Sequence, residues 1–202
     1  MSDFQSCSLP NVSYITGKVP DYILKSIKKE VASIQGSFDG NKMNETLAGH
    51  IKHEFALKDS TYELEPFVKD MAHYWHIDNN IEGSRLYNLE NTWVNFQSKH
   101  EFNPMHGHGG TLSFVIWIKI PYDLKAEEKV FPEPNGGYKT SKFEFLYNNV
   151  LGNLTGMTLD VDKSFEGTIY MFPASLQHCV YPFYTSDEYR ISVSGNLYRI
   201  AT

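Results

Sequence analysis

Two imidazoles one residue apart, His106 and His108, stand at the mouth of an apolar run in the stretch Asn103-Pro104-Met105-His106-Gly107-His108-Gly109-Gly110. Imidazole is a common ligand for zinc, copper, iron and nickel. In an extended chain residues i and i+2 project to the same face, so both rings can converge on one ion. Gly107, Gly109 and Gly110 remove side chains that would crowd that ion and let the chain turn sharply into the next strand. Alone, such a pair is equally the mark of two loop histidines. A second stretch changes the balance: His178 lies seventy residues beyond His108, and Arg190 follows twelve residues after it, with Ser192 two further on. A hairpin of that length sets His178 and Arg190 on neighbouring strands, with both side chains able to face the interior. An interior histidine and an interior arginine are costly unless each has a partner. A metal ion serves the first and an anionic ligand the second, because a guanidinium gives a carboxylate a planar two-point fit. A structural ion pair with Asp187 or Glu188 is the alternative for Arg190.

This ordered set, HxH, then a distant His, then Arg-x-Ser, resembles that of the non-haem iron, 2-oxoglutarate-dependent dioxygenases of the double-stranded β-helix fold. The phrases Trp93-Val94-Asn95-Phe96, Glu101-Phe102-Asn103-Pro104, Phe172-Pro173-Ala174-Ser175-Leu176-Gln177-His178 and Arg190-Ile191-Ser192 are further similar to small oxygenases common in tailed phages of marine bacteria. The resemblance is close from about residue 86 to the end and looser before it. It implies a catalytic set of His106, His108, His178 and Arg190, with His106 and His178 as iron ligands, Arg190 clamping the distal carboxylate of 2-oxoglutarate and Ser192 donating to the same carboxylate. Trp117 stands where related enzymes often carry a tyrosine aimed at the cosubstrate; it reads as a pocket wall or as a core tryptophan. Asn95 is a candidate contact to cosubstrate or substrate, and Asn196 a holder of the last strand. The departure is His108, which occupies the place of the family's usual carboxylate ligand. Three readings stay open: a three-histidine metal face, which strand geometry favours; a lost third ligand replaced by water or halide; or a shifted frame in which only one of the two histidines ligates. The implied cofactors are Fe(II), 2-oxoglutarate and O2, and the implied reaction is decarboxylation of 2-oxoglutarate to succinate with hydroxylation of a C–H bond. Two rivals use the same fold: a cupin-type three-histidine iron dioxygenase that needs no 2-oxoglutarate, and a non-catalytic phage binding module.

Stepping from these residues to the elements that must hold them, the spacing predicts helices over residues 20–35 and 61–76, the first closed by Gly36 and the second with Pro66 in its first turn. The first 19 residues suit an edge strand or arm, and His50 and His53 lie in an ambiguous stretch without an evident carboxylate partner. From residue 85 the period changes to two, with strands expected at 86–90, 91–96, 112–120, 143–148, 157–161, 168–173, 178–184 and 190–200. A long polar connection over 121–142 reads as a lid or a disordered loop. The expectation is one domain, 1–202, in which a mostly helical section, 1–84, packs on a mainly β jelly-roll or cupin-like barrel, 85–202.

Composition agrees. Thirteen Tyr, 13 Phe and three Trp favour a β-dominated core. A net charge of −6, without a block of Lys or Arg, argues against general nucleic-acid binding. Two cysteines, Cys7 and Cys179, form no disulfide framework and fit a reducing compartment. Neither a leader nor a membrane-length apolar run is visible, so a soluble protein of the cytoplasm, the host's if phage-encoded, is expected. The substrate and the oligomeric state are not legible.

Overall fold

The computed structural model describes residues 11–43, 47, 49–131 and 138–201. Its elements run β1 (Ile15–Lys18), α1 (Asp21–Ser37), β2 (His53–Ala56), α2 (Thr61–Asp78), β3 (Tyr87–Gln97), β4 (Asn103–His106), β5 (Leu112–Lys119), α3 (Leu124–Glu128), β6 (Phe143–Asn148), β7 (Leu154–Leu159), β8 (Thr168–Pro173), β9 (Gln177–Val180) and β10 (Arg190–Arg199). Two antiparallel sheets face one another, a six-stranded one in the order β1-β8-β5-β10-β3-β2 and a four-stranded one in the order β4-β9-β6-β7. This is the mainly β, double-stranded β-helix architecture expected. The first 84 residues also supply both edge strands of the larger sheet, β1 and β2.

The larger sheet is buried on both faces, and the period of two sorts its side chains. Phe114, Ile116 and Ile118 of β5, Val94 and Phe96 of β3, and Ile191, Val193 and Leu197 of β10 join the core beneath the helices, where Ile23, Ile27, Val31, Leu64 and Val68 meet them. The alternate residues face the smaller sheet. On β5 and β8 these are Val115, Trp117, Tyr170 and Phe172, which make an aromatic inter-sheet core with Phe143 and Phe145. On β3 and β10 they are Trp93, Asn95 and Gln97 opposite Ser194, Ser192 and Arg190. The interior thus has an apolar side and a polar side, and the polar side holds the site.

Several expectations are corrected. Helix α1 runs through Gly36 to Ser37 and closes on Phe38, whose φ of 46° is left-handed. The position takes a phenylalanine because its ring stacks on His53 at 4.4 Å and meets Phe96 edge-on at 5.4 Å. Pro66 lies in the second turn of α2 rather than the first; it is exposed, so water can replace the missing backbone bond. Strand β9 stops at Val180 because Pro182 has no N–H and the Tyr181 carbonyl is taken by Arg190 Nη2 at 2.8 Å. The 121–142 connection contains α3, N-capped by Asp123 Oδ1 from Ala126 N–H at 3.0 Å. Its fully buried Glu127 accepts from the N–H groups of Tyr184 at 2.9 Å and Thr185 at 2.7 Å, so this part is pinned to the barrel. Residues 132–137 of that connection, and Cys7, lie outside the described residues. Among the described residues no helix is long and apolar enough to cross a membrane.

Candidate metal centre

Strand pairing, not sequence proximity, assembles the three histidines. His106 ends β4 and is paired with His178 on β9, so their rings lie side by side with centroids 4.3 Å apart. His108 lies just beyond β4, where its N–H donates to the Ala174 carbonyl at 2.7 Å. That bond turns its ring to 4.9 Å from His106 and 5.0 Å from His178. One ring nitrogen from each histidine falls within 4.8 Å of the others. The other nitrogen of two rings is already committed: His106 Nδ1 donates to the Pro104 carbonyl at 2.7 Å, and His178 Nδ1 to the Leu176 carbonyl at 2.9 Å. These bonds fix the tautomer and leave Nε2 as the free lone pair, as in metal-ligating histidines generally. A Cβ at Gly107 would lie 2.9 Å from Gln177 Nε2, the movable end of an exposed side chain, so this position is tight without excluding a small residue.

The imidazoles are held neutral. Burial, and then the neighbouring His106, push His108 down to about 4 and His178 to about 3, and burial lowers His106 as well. A neutral triad of converging nitrogens fits a first-row divalent metal without prior deprotonation. It also sets a pH dependence for the metal-free protein. The folded-state values lie below the unfolded value of 6.5, so the stabilisation is complete above 6.5 and is lost as pH falls toward 4 and then 3. Each histidine contributes a slope of at most about 1.4 kcal/mol per pH unit. Glu54, raised by burial and then by Glu101 to about 7, opposes one histidine between 4.5 and 6.5 and leaves a net loss on acidification. Chemical denaturation of apo-protein from pH 7 to 4.5 is expected to show falling stability, flattened in His178→Ala; a flat wild-type profile would refute it.

The cavity at the triad is lined on its polar side by Glu54, Trp93, Asn95, Asn103, Ser192 and Ser194, and on its apolar side by Val115, Phe143, Phe172 and Val180. Asn95 and Ser192 both line this cavity, with Asn95 Nδ2 donating to Ser192 Oγ at 3.3 Å. Trp117 and Arg190 do not line this cavity. The Trp117 indole is met edge-on by Phe143, Phe165 and Tyr170 within the inter-sheet core. Arg190 is 3 % exposed and faces inward two residues before Ser192. Its Nε and Nη2 donate to Gln97 Oε1 at 3.0 and 2.7 Å, Nη1 to Tyr122 OH at 2.9 Å and the Ser141 carbonyl at 2.6 Å, and Nη2 to the Tyr181 carbonyl at 2.8 Å. Every acceptor is neutral. The two acids considered as its partners are engaged elsewhere, Asp187 with Lys99 at 2.5 Å and Glu188 with Lys119 at 2.9 Å. Among the described residues, Arg190 is thus a buried guanidinium without a carboxylate.

Sequence reasoning missed Glu54, Asn103 and Ser194 in the cavity, and Gln97 and Tyr122 around Arg190. Ser194 was within reach, since it shares the inward face of one strand with Arg190 and Ser192. Glu54 was not, because its four-residue strand carries no readable period. The histidines beside it, His50 and His53, stack on Phe102 at 4.8 Å and Phe38 at 4.4 Å instead of joining the triad.

Residues 91–196, just over half of the chain, match the family described as "Putative 2OG-Fe(II) oxygenase". Solved structures share the fold at low identity. A prolyl-4-hydroxylase from Pseudomonas putida aligns with a TM-score of 0.58 at 11 % identity, over 93 % of each chain. SnoN, a non-heme alpha-ketoglutarate-dependent epimerase of nogalamycin biosynthesis, aligns at 0.61 and 13 % over 92 % of this chain and 77 % of its own. The viral collagen prolyl hydroxylase of Paramecium bursaria Chlorella virus-1 aligns at 0.53 and 11 %, over 93 % and 96 %. No curated protein matches.

Proposed function

The chain belongs to the 2OG-Fe(II) oxygenase family, and from that premise we propose that it is an iron- and 2-oxoglutarate-dependent dioxygenase whose metal is held by His106, His108 and His178. The observation that carries this is the convergence of one nitrogen from each histidine within 4.8 Å, with two of the rings locked by backbone carbonyls. Iron(II), with 2-oxoglutarate and O2, supplies the decarboxylation to succinate and CO2 and the oxidation of a C–H bond. The chain's own part is to bind, orient and exclude water. Three neutral imidazoles leave the ion's full charge for an anionic cosubstrate, where a carboxylate ligand would have offset part of it. His108 serves as the third ligand in this reading.

The interior polar row supports a place for the cosubstrate. Asn95 and Ser192 offer hydrogen bonds at the cavity wall, and Arg190 lies beyond them on the same face of β10. Its positive charge, offset by no acid among the described residues, favours the distal carboxylate at this end; the neutral Gln97 and Tyr122 are the acceptors that a carboxylate would replace. Phe143, stacked on His178 at 5.4 Å and 16°, shields the metal side from water. Two of the similar structures are prolyl hydroxylases, which supports hydroxylation as the outcome. The likeness of the barrel phrases to oxygenases of tailed phages supports a phage-encoded enzyme acting in a host cytoplasm.

The test is succinate formation from 2-oxoglutarate by Fe(II)-loaded protein in air, followed without added substrate. Slow, iron-dependent succinate release is the expected result. Iron binding without any succinate would instead favour the three-histidine dioxygenase that takes its substrate directly on the metal, and no iron binding would favour a binding module.

A further inference from the structure

The three histidines are not held alike. The rings of His106 and His178 are each locked at Nδ1 by a backbone carbonyl, from Pro104 at 2.7 Å and from Leu176 at 2.9 Å. No hydrogen bond among the described residues holds either ring nitrogen of His108. What is fixed there is the backbone: the His108 N–H donates to the Ala174 carbonyl at 2.7 Å, and the Thr111 N–H to the Leu197 carbonyl at 2.8 Å. Gly110 between them has a φ of 98°, and a Cβ on it would lie 2.9 Å from that Leu197 carbonyl, so the loop keeps one path. A fixed backbone still leaves the side-chain torsions a choice of wells. A metal-ligating histidine almost always donates its second ring N–H to a partner that sets the ring, so His108 needs another device.

Among the described residues, Trp93 is the one ring outside the triad that meets His108, with centroids 5.7 Å apart and planes at 58°. That separation is within the range of favourable aromatic pairs. Trp93 is 4 % exposed and lines the metal cavity. Strand pairing makes room for it. Its cross-strand partners are Ala56 on β2 and Ser194 on β10, both small, so the indole is crowded from neither side. We infer that Trp93 is a positioning residue for the third ligand: its indole holds the His108 imidazole toward the metal, the task that backbone carbonyls perform for His106 and His178. His106 and His178 are then a preset pair, and His108 joins them through a packing contact. This rests on the reading of the triad as a metal centre, but not on the use of 2-oxoglutarate.

The test reads Ni(II) affinity by competition with a chelator, because nitrogen ligands hold Ni(II) more tightly than iron(II) and weakened variants stay measurable. Trp93→Leu is expected to weaken Ni(II) about threefold to tenfold, and Trp93→Phe, which keeps a ring, to restore most of the loss. The decisive readout is coupling. In a His108→Ala background Trp93→Leu should have no further effect, since the ring it positions is gone. Equal losses in both backgrounds would make Trp93 a merely structural residue and overturn the proposal, as would unchanged Ni(II) affinity in Trp93→Leu. If Trp93→Leu does not fold, wild-type apo-protein decides by long-range nitrogen–proton NMR of the imidazoles. His106 and His178 are expected as single Nδ1–H tautomers, and His108 as two exchanging tautomers with a nuclear Overhauser contact to Trp93. A His108 locked in one tautomer, or without that contact, would overturn the proposal. Failure of wild type to bind Ni(II) would overturn the metal centre and this proposal together; additive losses with Ni(II) bound overturn only the role of Trp93.

Discussion

His178→Ala is expected to lose iron(II) binding in an anaerobic titration while remaining folded, a larger effect than the roughly 10–100-fold expected from an outer partner of a metal ligand. His178 is the hub of the triad. It is 3 % exposed, its tautomer is set by the Leu176 carbonyl, and its ring is wedged against Phe143 at 5.4 Å and Phe172 at 5.0 Å. The fold survives because both aromatic neighbours belong to a larger inter-sheet core, and loss of part of one ring contact costs about 1–3 kcal/mol. A correctly folded His178→Ala protein that keeps wild-type iron affinity would remove the triad from consideration.

The second large effect divides Arg190 from its surroundings. Arg190→Ala is expected to lower stability by roughly 3–5 kcal/mol, because it strands the acceptors of Gln97, Tyr122, Ser141 and Tyr181 in a buried site, each costing about 1–3 kcal/mol when unpaired. Loss of cosubstrate binding in that variant would therefore say little. Gln97→Glu is the informative change. It keeps the shape and both N–H···O contacts, now 3.0 and 2.7 Å from a neutral oxygen, but gives the guanidinium a permanent carboxylate. Stability should fall by about 1–3 kcal/mol, because the carboxylate cannot make the bond that Gln97 Nε2 donates to the Glu101 carbonyl at 2.6 Å, whereas affinity for 2-oxoglutarate in the folded variant should fall by at least about tenfold, since the resident anion must be displaced. Unchanged 2-oxoglutarate affinity in Gln97→Glu would place the distal carboxylate elsewhere in the cavity.

What could be read from the chain followed from periodicity and from residue types with few uses. The apolar run of Leu112–Lys119 and the alternation in Arg190–Arg199 revealed strands, and the grouping of His106, His108 and His178 was suggested by their ordered spacing with Arg190. The polar side of the site was less legible. Gln97, Asn103 and Glu54 take their roles from strand pairing: Glu54 meets Asn95 only because the short β2 pairs with β3, a non-local contact that no local pattern encodes. The same holds for Arg190, whose acids Asp187 and Glu188 are adjacent in sequence but turn outward to Lys99 and Lys119. Phe38 shows tertiary packing overriding a local stop signal, since a stack on His53 extends the helix past Gly36.

The most direct measurement is an anaerobic titration of apo-protein with Fe(II) and then 2-oxoglutarate, following the weak visible charge-transfer band of the chelate in wild type and His108→Ala. A three-histidine centre predicts the band in wild type and its loss, together with iron affinity, in His108→Ala. A band of undiminished strength in His108→Ala would contradict the third ligand, and iron binding without any band in wild type would contradict the use of 2-oxoglutarate itself.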